Sequence, residues 1–175
     1  FIKNNILSTK HLVQLAIKYK VQYFVFSSSA SVYGNVKFKK NIEEKYKTVP
    51  INPYGKSKLK CENIIVNQSK KHNFKYTIFR YFNVIGNHIS LRIQKKGYLN
   101  LFEKIKDSVK KRKIFEIHGS NLSTNDGTPE RDFIHVHDLV LAHTECLKFK
   151  NISFWNDIYN IGYNNGTSVL KIITE

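Results

Sequence analysis

The sequence predicts an α/β fold with a largely parallel sheet, and three observations carry that prediction. Short aromatic and β-branched runs alternate with helix-patterned segments along the 175 residues. The first such run gives way to the small hydroxyls Ser27-Ser28-Ser29, as a buried strand does where it reaches a polar edge. Hydrophobic residues make up 41% and charged residues 24%, the proportions of a globular domain with a sizeable core.

Apolar residues at Ile6, Leu7, Leu12, Val13, Ala16 and Ile17 predict a helix over 6–18 with one buried face. Tyr23-Phe24-Val25-Phe26 reads as a buried strand that breaks at the serines, and a lysine-rich connection leads to Pro50. Asn52-Pro53 offers an N-cap followed by proline at the first helical position, so a helix is expected from Pro53 to about Lys70. Tyr76 to Phe79 is the next expected strand, 82–97 a long loop, and Leu99 to Lys111 a helix. Ile114 to Ile117 reads as a short strand, and Ser120 to Pro129 as loop because Ser, Asn, Asp, Gly and Pro crowd it. Phe133 to Val136 is expected to be extended, with Asp138 capping a helix from Leu139 to Lys148. Ile158 to Ile161 is the last expected strand. After the turn at Gly162 to Gly166, Thr167 or Ser168 caps a final helix.

Charge narrows the function classes. Lys and Arg total 29 against 13 Asp and Glu, a net +16, which raises nucleic acid as a partner. Only Arg80, Arg92, Arg112 and Arg131 are arginines, and arginine is the better reader of bases and phosphates. The 25 lysines accompany 18 Asn and 20 Ile, so the excess follows a general compositional bias and no nucleic-acid partner is expected. No apolar run reaches the roughly 18 residues of a membrane span, and no membrane association is expected. Cys61 and Cys146 have neither metal nor secreted-disulfide spacing, which suits reduced thiols and a cytoplasmic location. The chain opens at Phe1 and has no Met, so an internal piece of a longer protein is expected.

The residues with the most chemistry are Ser29, at the carboxyl end of a strand, and Tyr54 and Lys58 on the following helix. Ligands of parallel α/β sheets bind outside the carboxyl ends of the strands, where Ser29 would lie. Tyr54 and Lys58 stand i and i+4, so they share a face, and an ammonium beside a phenol favours the phenolate. Such a tyrosine can take an alcohol proton while Ser29 holds the alcohol. Tyr-x-x-x-Lys alone is common on exposed helices. His135 and His137 share a face of an extended segment, but no third ligand has a natural place and no metal is expected. Asp132 reads as a loop anchor, Tyr33 as packing or pocket wall, and Trp155 as a local core plug.

The wider sequence strengthens the pair. Phe26 to Gly34 (FSSSASVYG) and Asn52 to Glu62 (NPYGKSKLKCE) resemble the extended short-chain dehydrogenase/reductase family. Arg80 to His88 (RYFNVIGNH), Asp126 to His143 (DGTPERDFIHVHDLVLAH) and Tyr159 to Ile172 (YNIGYNNGTSVLKI) are similar in particular to its UDP-glucose 4-epimerases. The resemblance runs in order along essentially the whole chain. It implies part of an NAD-binding Rossmann-type parallel sheet over 1–86. Part of a smaller α/β substrate-binding region over 87–175 would follow, with a segment near 130–150 returning to the first domain.

The activity implied is reversible inversion at carbon 4 of a UDP-hexose through a 4-keto sugar, with NAD taking and returning the hydride. Tyr54 would be the base, Lys58 would bond the nicotinamide ribose and tune Tyr54, and Ser29 would orient the hydroxyl with Ser31 beside it. Asn4 and Phe82 match cofactor contacts of the family. Asn83, Asn100, Leu101 and Arg131 match contacts to the UDP-sugar, with Glu116, Ile117 and His118 lining the uridine. The guanidinium of Arg131 suits a diphosphate because it can bond two oxygens at once. A homodimer is implied for the complete enzyme.

Two departures bear on this. The Gly-rich turn that cradles the pyrophosphate, and the acidic residue for the adenosine ribose, are not in these residues. Residues 89–99 fit the family pattern poorly. The related sugar-nucleotide dehydratases and decarboxylases use acidic residues just after the strand's serine, where this chain has Ala30 and Ser31. A binding module that keeps the nucleotide-sugar surface without redox chemistry is the alternative of another class.

Overall fold

The computed structural model describes residues 1–36, 41–86, 101–119, 121–148 and 155–175. These residues form two compact units. The first comprises Phe1–Phe82 and Leu139–Ile161, the second Asn83–Asp138 and Gly162–Glu175.

In the first unit a π-helical turn, Ile2–Leu7, runs into helix α1, Ser8–Lys18. Strand β1, Tyr23–Ser29, continues through the three serines, where the sequence suggested a break. Pairing is the reason: Ser27, Ser28 and Ser29 lie in register with Phe79, Arg80 and Tyr81 of β2, Lys75–Tyr81, in a parallel ladder. Strand β5, Asp157–Ile161, adds parallel to the other side of β2, giving the order β1-β2-β5.

Alternation along the strands gives this sheet two apolar faces. On one, Val13 of α1 and Ile65 of helix α2, Pro53–His72, pack with Phe74, Tyr76 and Ile78. On the other, Phe79 packs with Trp155 and with Cys146 of helix α4, Val136–Lys148. Helices cover both faces of this parallel sheet, in keeping with the α/β fold and parallel sheet that the sequence predicted. Trp155 is buried in this second cluster, and its indole Nε1 is the one buried side-chain nitrogen or oxygen without a partner among the described residues.

Helix α2 begins where expected. The Asn52 side-chain oxygen accepts the Gly55 N–H at 2.7 Å, and Pro53 opens the first turn. It ends with Lys70, Lys71 and His72 near the helix carboxyl end and Asn73 in the left-handed conformation. Cys61 and Cys146 are both free and buried.

The second unit holds a small mixed sheet. Strand β3, Asn83–Ile85, lies within what the sequence read as loop, and pairs parallel with β4, Glu130–His135. Strand β6, Gly166–Ser168, pairs antiparallel with β4. Helix α3, Leu101–Lys110, is amphipathic, and the Phe102 ring meets Phe133 edge-on at 5.5 Å. Ile114 to Ile117 is not a strand: no strand among the described residues pairs with it, and Ile114 is 93% exposed. Helix α4 begins at Val136, so Asp138 sits in its first turn, where it accepts from the Tyr163 hydroxyl, and does not cap it. Ser168 caps the last helix, α5, Val169–Thr174, by accepting the Lys171 N–H at 3.1 Å.

Candidate active site

Three serines at the end of β1 point in alternate directions and hold different partners. Ser28 is buried and donates to the carboxylate of Glu62 on α2. Glu62 in turn takes two bonds from Arg80 of β2, Nε at 3.1 Å and Nη2 at 2.7 Å, in an ion pair whose side chains are 2% and 5% exposed. Burial opposes the Arg80 charge, but the bonds to Glu62 and Tyr33 win and leave its pKa above the ordinary value. Arg80 Nη1 also donates to the Tyr33 hydroxyl at 2.8 Å and to the Glu44 carbonyl at 3.1 Å. Tyr33 itself donates to Asn160 of β5 at 2.7 Å, so it belongs to a polar lattice under the strand ends.

Ser29 is the last residue of β1 and caps a single 3-10 turn, Ala30–Val32. Its Oγ accepts the Ser31 N–H and donates to Ser31 Oγ, both at 3.2 Å. Helix α2 abuts this turn through Gly55, where an added Cβ would collide with the Ser31 carbonyl oxygen. That contact brings the first turn of α2, with Tyr54 on it, to the end of β1. One turn on, the Lys58 ammonium donates to the Ser27 carbonyl at 2.8 Å. It lies 5.0 Å from the centroid of the Phe26 ring and 5.8 Å from that of Tyr54. Desolvation by burial lowers the Lys58 pKa from its ordinary value of 10.5. Ser29, Tyr54 and Lys58 therefore gather at the carboxyl end of the parallel sheet.

Asn4 is exposed in the π-helical turn, while its neighbour Asn5 reaches α2, donating to Ser57 Oγ at 2.8 Å. Phe82 follows β2 half-buried, with its N–H bonded to the Ile161 carbonyl at 3.1 Å. Ser27 Oγ and the Tyr81 hydroxyl lie 2.6 Å apart, and Tyr81 is 2.8 Å from His143 Nε2. Neither Tyr81 nor His143 stood out in the sequence. The Glu62–Arg80 pair did not stand out either, since the expected strand stopped at Phe79, one residue short of Arg80.

In the second unit the Asn83 side chain bridges two residues of β4. Its amide donates to the Asp132 carbonyl at 3.0 Å, and its oxygen accepts from Arg131 at 3.3 Å. Two of the expected sugar-nucleotide contacts are thus neighbours, and Arg131 is otherwise exposed. Glu116 and His118 are exposed, Leu101 and Ile117 are half-buried, and Asn100 lies outside the described residues. Asp132 is an anchor, as its setting suggested: its carboxylate accepts the N–H groups of Tyr163 and Asn164, each at 2.9 Å. His135 Nδ1 accepts the His137 N–H at 3.2 Å, and no cluster of three or more His, Cys, Asp or Glu suited to a metal occurs among the described residues.

A family model described as the NAD dependent epimerase/dehydratase family matches residues 1–162. The chain belongs to that family. Among its relatives, the UDP-glucose 4-epimerase of Haemophilus influenzae is 37% identical over 99% of this chain and 53% of its own length. UDP-glucose 4-epimerase 2 of Oryza sativa subsp. japonica is 36% identical over 99% of this chain and 44% of its own. The crystal structure of UDP-glucose 4-epimerase from Bifidobacterium longum in complex with NAD+ and UDP superposes with a TM-score of 0.87. It is 36% identical, and the match covers 99% of this chain and 53% of that one. The epimerase of Brucella ovis, solved with NAD, gives a TM-score of 0.88 at 29% identity, over 99% of this chain and 54% of that one. The chain thus spans about half the length of the family members it matches. No described helix is long and apolar enough to cross a membrane.

Proposed function

We propose that this chain carries the catalytic half of an NAD-dependent enzyme that reversibly epimerises a UDP-hexose, UDP-glucose and UDP-galactose, at carbon 4. One observation carries the reading: a tyrosine and a partly desolvated lysine, one helical turn apart, stand at the carboxyl edge of a parallel sheet, the lysine bonded to the Ser27 carbonyl two residues before the strand ends at Ser29. The donor set fits the nicotinamide half of the cofactor, since the Lys58 ammonium and Tyr54 phenol are suited to a ribose diol. When bound, NAD supplies the site with a hydride acceptor that later gives the hydride back.

The chain's own residues supply the rest. Lys58 places a positive charge 5.8 Å from the centre of the Tyr54 ring, and Tyr54 is the group that accepts the proton of the 4-hydroxyl. With the cofactor bound, loss of the hydroxyl proton to Tyr54 and of the carbon-4 hydride would leave a ketone, and once the keto sugar has turned over Tyr54 would return the proton as the hydride reached the other face. Ser29 is preset by its two bonds with Ser31, and holds the hydroxyl in line with Tyr54. Asn4 and Phe82 are assigned to the cofactor. Asn83, Asn100, Leu101 and Arg131 are assigned to the UDP-sugar, and Glu116, Ile117 and His118 to the uridine. Ala30 and Ser31 offer no carboxylate next to Ser29, which favours epimerisation over dehydration or decarboxylation.

The test is turnover of UDP-galactose to UDP-glucose by the product of the complete reading frame, read by coupled oxidation of the UDP-glucose formed. Turnover that depends on Tyr54 supports the reading. A protein that binds UDP-sugar and NAD without turnover overturns it in favour of a binding module.

A further inference from the structure

We propose that Tyr81 and His143 are positioning residues for the Lys58 ammonium, acting through Ser27 as one hydrogen-bonded string that ties α4 to α2 across β2 and β1. The direction of each bond follows from what each atom can do. The Leu139 carbonyl can only accept, so His143 Nδ1, 2.9 Å away, carries the ring proton. On the neutral ring Nε2 is then an acceptor, and the Tyr81 hydroxyl donates to it. With the Tyr81 proton committed there, Ser27 Oγ is the donor across the 2.6 Å to Tyr81. The backbone of the same Ser27 accepts the Lys58 ammonium.

Packing fixes the far end of the string. The His143 ring lies edge-on to Phe79 at 4.9 Å and to Tyr81 at 5.8 Å, which sets its plane. Burial pushes the Tyr81 phenol above its ordinary pKa, with the Ser27 bond opposing, so Tyr81 keeps the proton it donates through the neutral range. Ser27 is thereby held from two sides, by its side chain and by its carbonyl. Freeing the side chain loosens the peptide to which Lys58 is bonded. The influence of an ammonium on a phenol falls with separation, so that slack lowers the rate. This catalytic consequence rests on Tyr54 being the base, whereas the string itself does not.

Trace acetylation with acetic anhydride reports how firmly each lysine is held, with incorporation read by mass spectrometry and exposed Lys10 as reference. It is run on the full-length protein as wild type, Tyr81→Phe, His143→Phe and His143→Gln, beside thermal melts and UDP-galactose turnover. Lys58 labelling is expected to rise about fivefold in Tyr81→Phe and His143→Phe. His143→Gln, whose amide oxygen can accept from Tyr81, should return to within about twofold of wild type. In the turnover assay kcat should fall about fivefold in the two Phe variants, with KM unchanged within about twofold.

Lys58 labelling that stays at the wild-type level in both Phe variants overturns the proposal. So does a rise that His143→Gln fails to reverse, since that marks lost ring packing. Should His143→Phe not fold, Tyr81→Phe carries the test alone, because it removes one oxygen and leaves the ring. A wild type that shows the labelling pattern without turnover sinks the epimerase reading and leaves the string standing. Unchanged labelling in an active enzyme does the reverse.

Discussion

Polar side chains do different work in the two units. At the end of β1 most of them grip one another, Ser28 with Glu62, Glu62 with Arg80 and Ser29 with Ser31, while Lys58 holds the Ser27 carbonyl. In the second unit two carboxylates, Asp132 and Asp126, grip backbone. Asp132 holds the N–H groups of Tyr163 and Asn164, and Asp126 holds that of Thr128 at 2.9 Å. The residues assigned to the sugar nucleotide there, Arg131, Glu116 and His118, stand exposed. The contrast matches the demands of the two tasks. Proton transfer needs side chains preset to within a fraction of an ångström, whereas a diphosphate can order an exposed guanidinium as it binds.

Breaking the first region at its centre should have the largest effect. Tyr54→Phe is expected to lower kcat by about 100- to 10,000-fold while UDP-sugar affinity, by calorimetry, stays within about twofold. Near-normal turnover in that variant would remove Tyr54 as the base. Next comes the interior of the lattice. Arg80→Met leaves the buried Glu62 carboxylate unpaired, and urea unfolding should show a loss of about 3–5 kcal/mol. A change under about 1 kcal/mol would mean that the ion pair is not what holds this end of the sheet.

Lys58→Met should lower kcat, because the site then works without the ammonium beside the Tyr54 ring. The sign on the alkaline side of the pH–rate profile also follows. Burial lowers the Lys58 pKa, so in wild type the ammonium is lost below the ordinary lysine range and activity falls there. In Lys58→Met that fall should vanish, and a profile of unchanged shape would count against the assignment. The smallest effect belongs to the second region. Arg131→Met should raise KM for the UDP-sugar about tenfold with kcat and melting temperature nearly unchanged. A large loss of kcat there would erase the distinction between preset and ligand-ordered groups.

Legibility in the sequence divides along the same line. The start of α2 could be read because Asn52 and Pro53 are local signals, and the Tyr54–Lys58 spacing maps directly onto one helix face. The strand through Ser27 to Ser29 could not, since its support comes from β2, a long way off in sequence, and from Glu62. Strands β3 and β6 are too short for a period-two pattern to show. Ile114 to Ile117 misled for the opposite reason: the pattern is present, and among the described residues no partner strand meets it. His143 looked like one more polar residue of a helix. Its role depends on facing Tyr81, a relation that only the folded sheet creates.

The serine run has a consequence for how the chain finds its fold. The four residues before it are aromatic or aliphatic whichever way they point. A slip of β1 by one residue along β2 would therefore exchange serine for serine at the tip and apolar for apolar below it. Hydrophobic burial discriminates poorly between those alignments. Glu62 with Arg80 on one side of the sheet, and Tyr81 on the other, accept only one of them, because each must meet its own serine. A buried ion pair that adds little net stability can still act in this way as an alignment key, rejecting near-degenerate pairings while the sheet assembles.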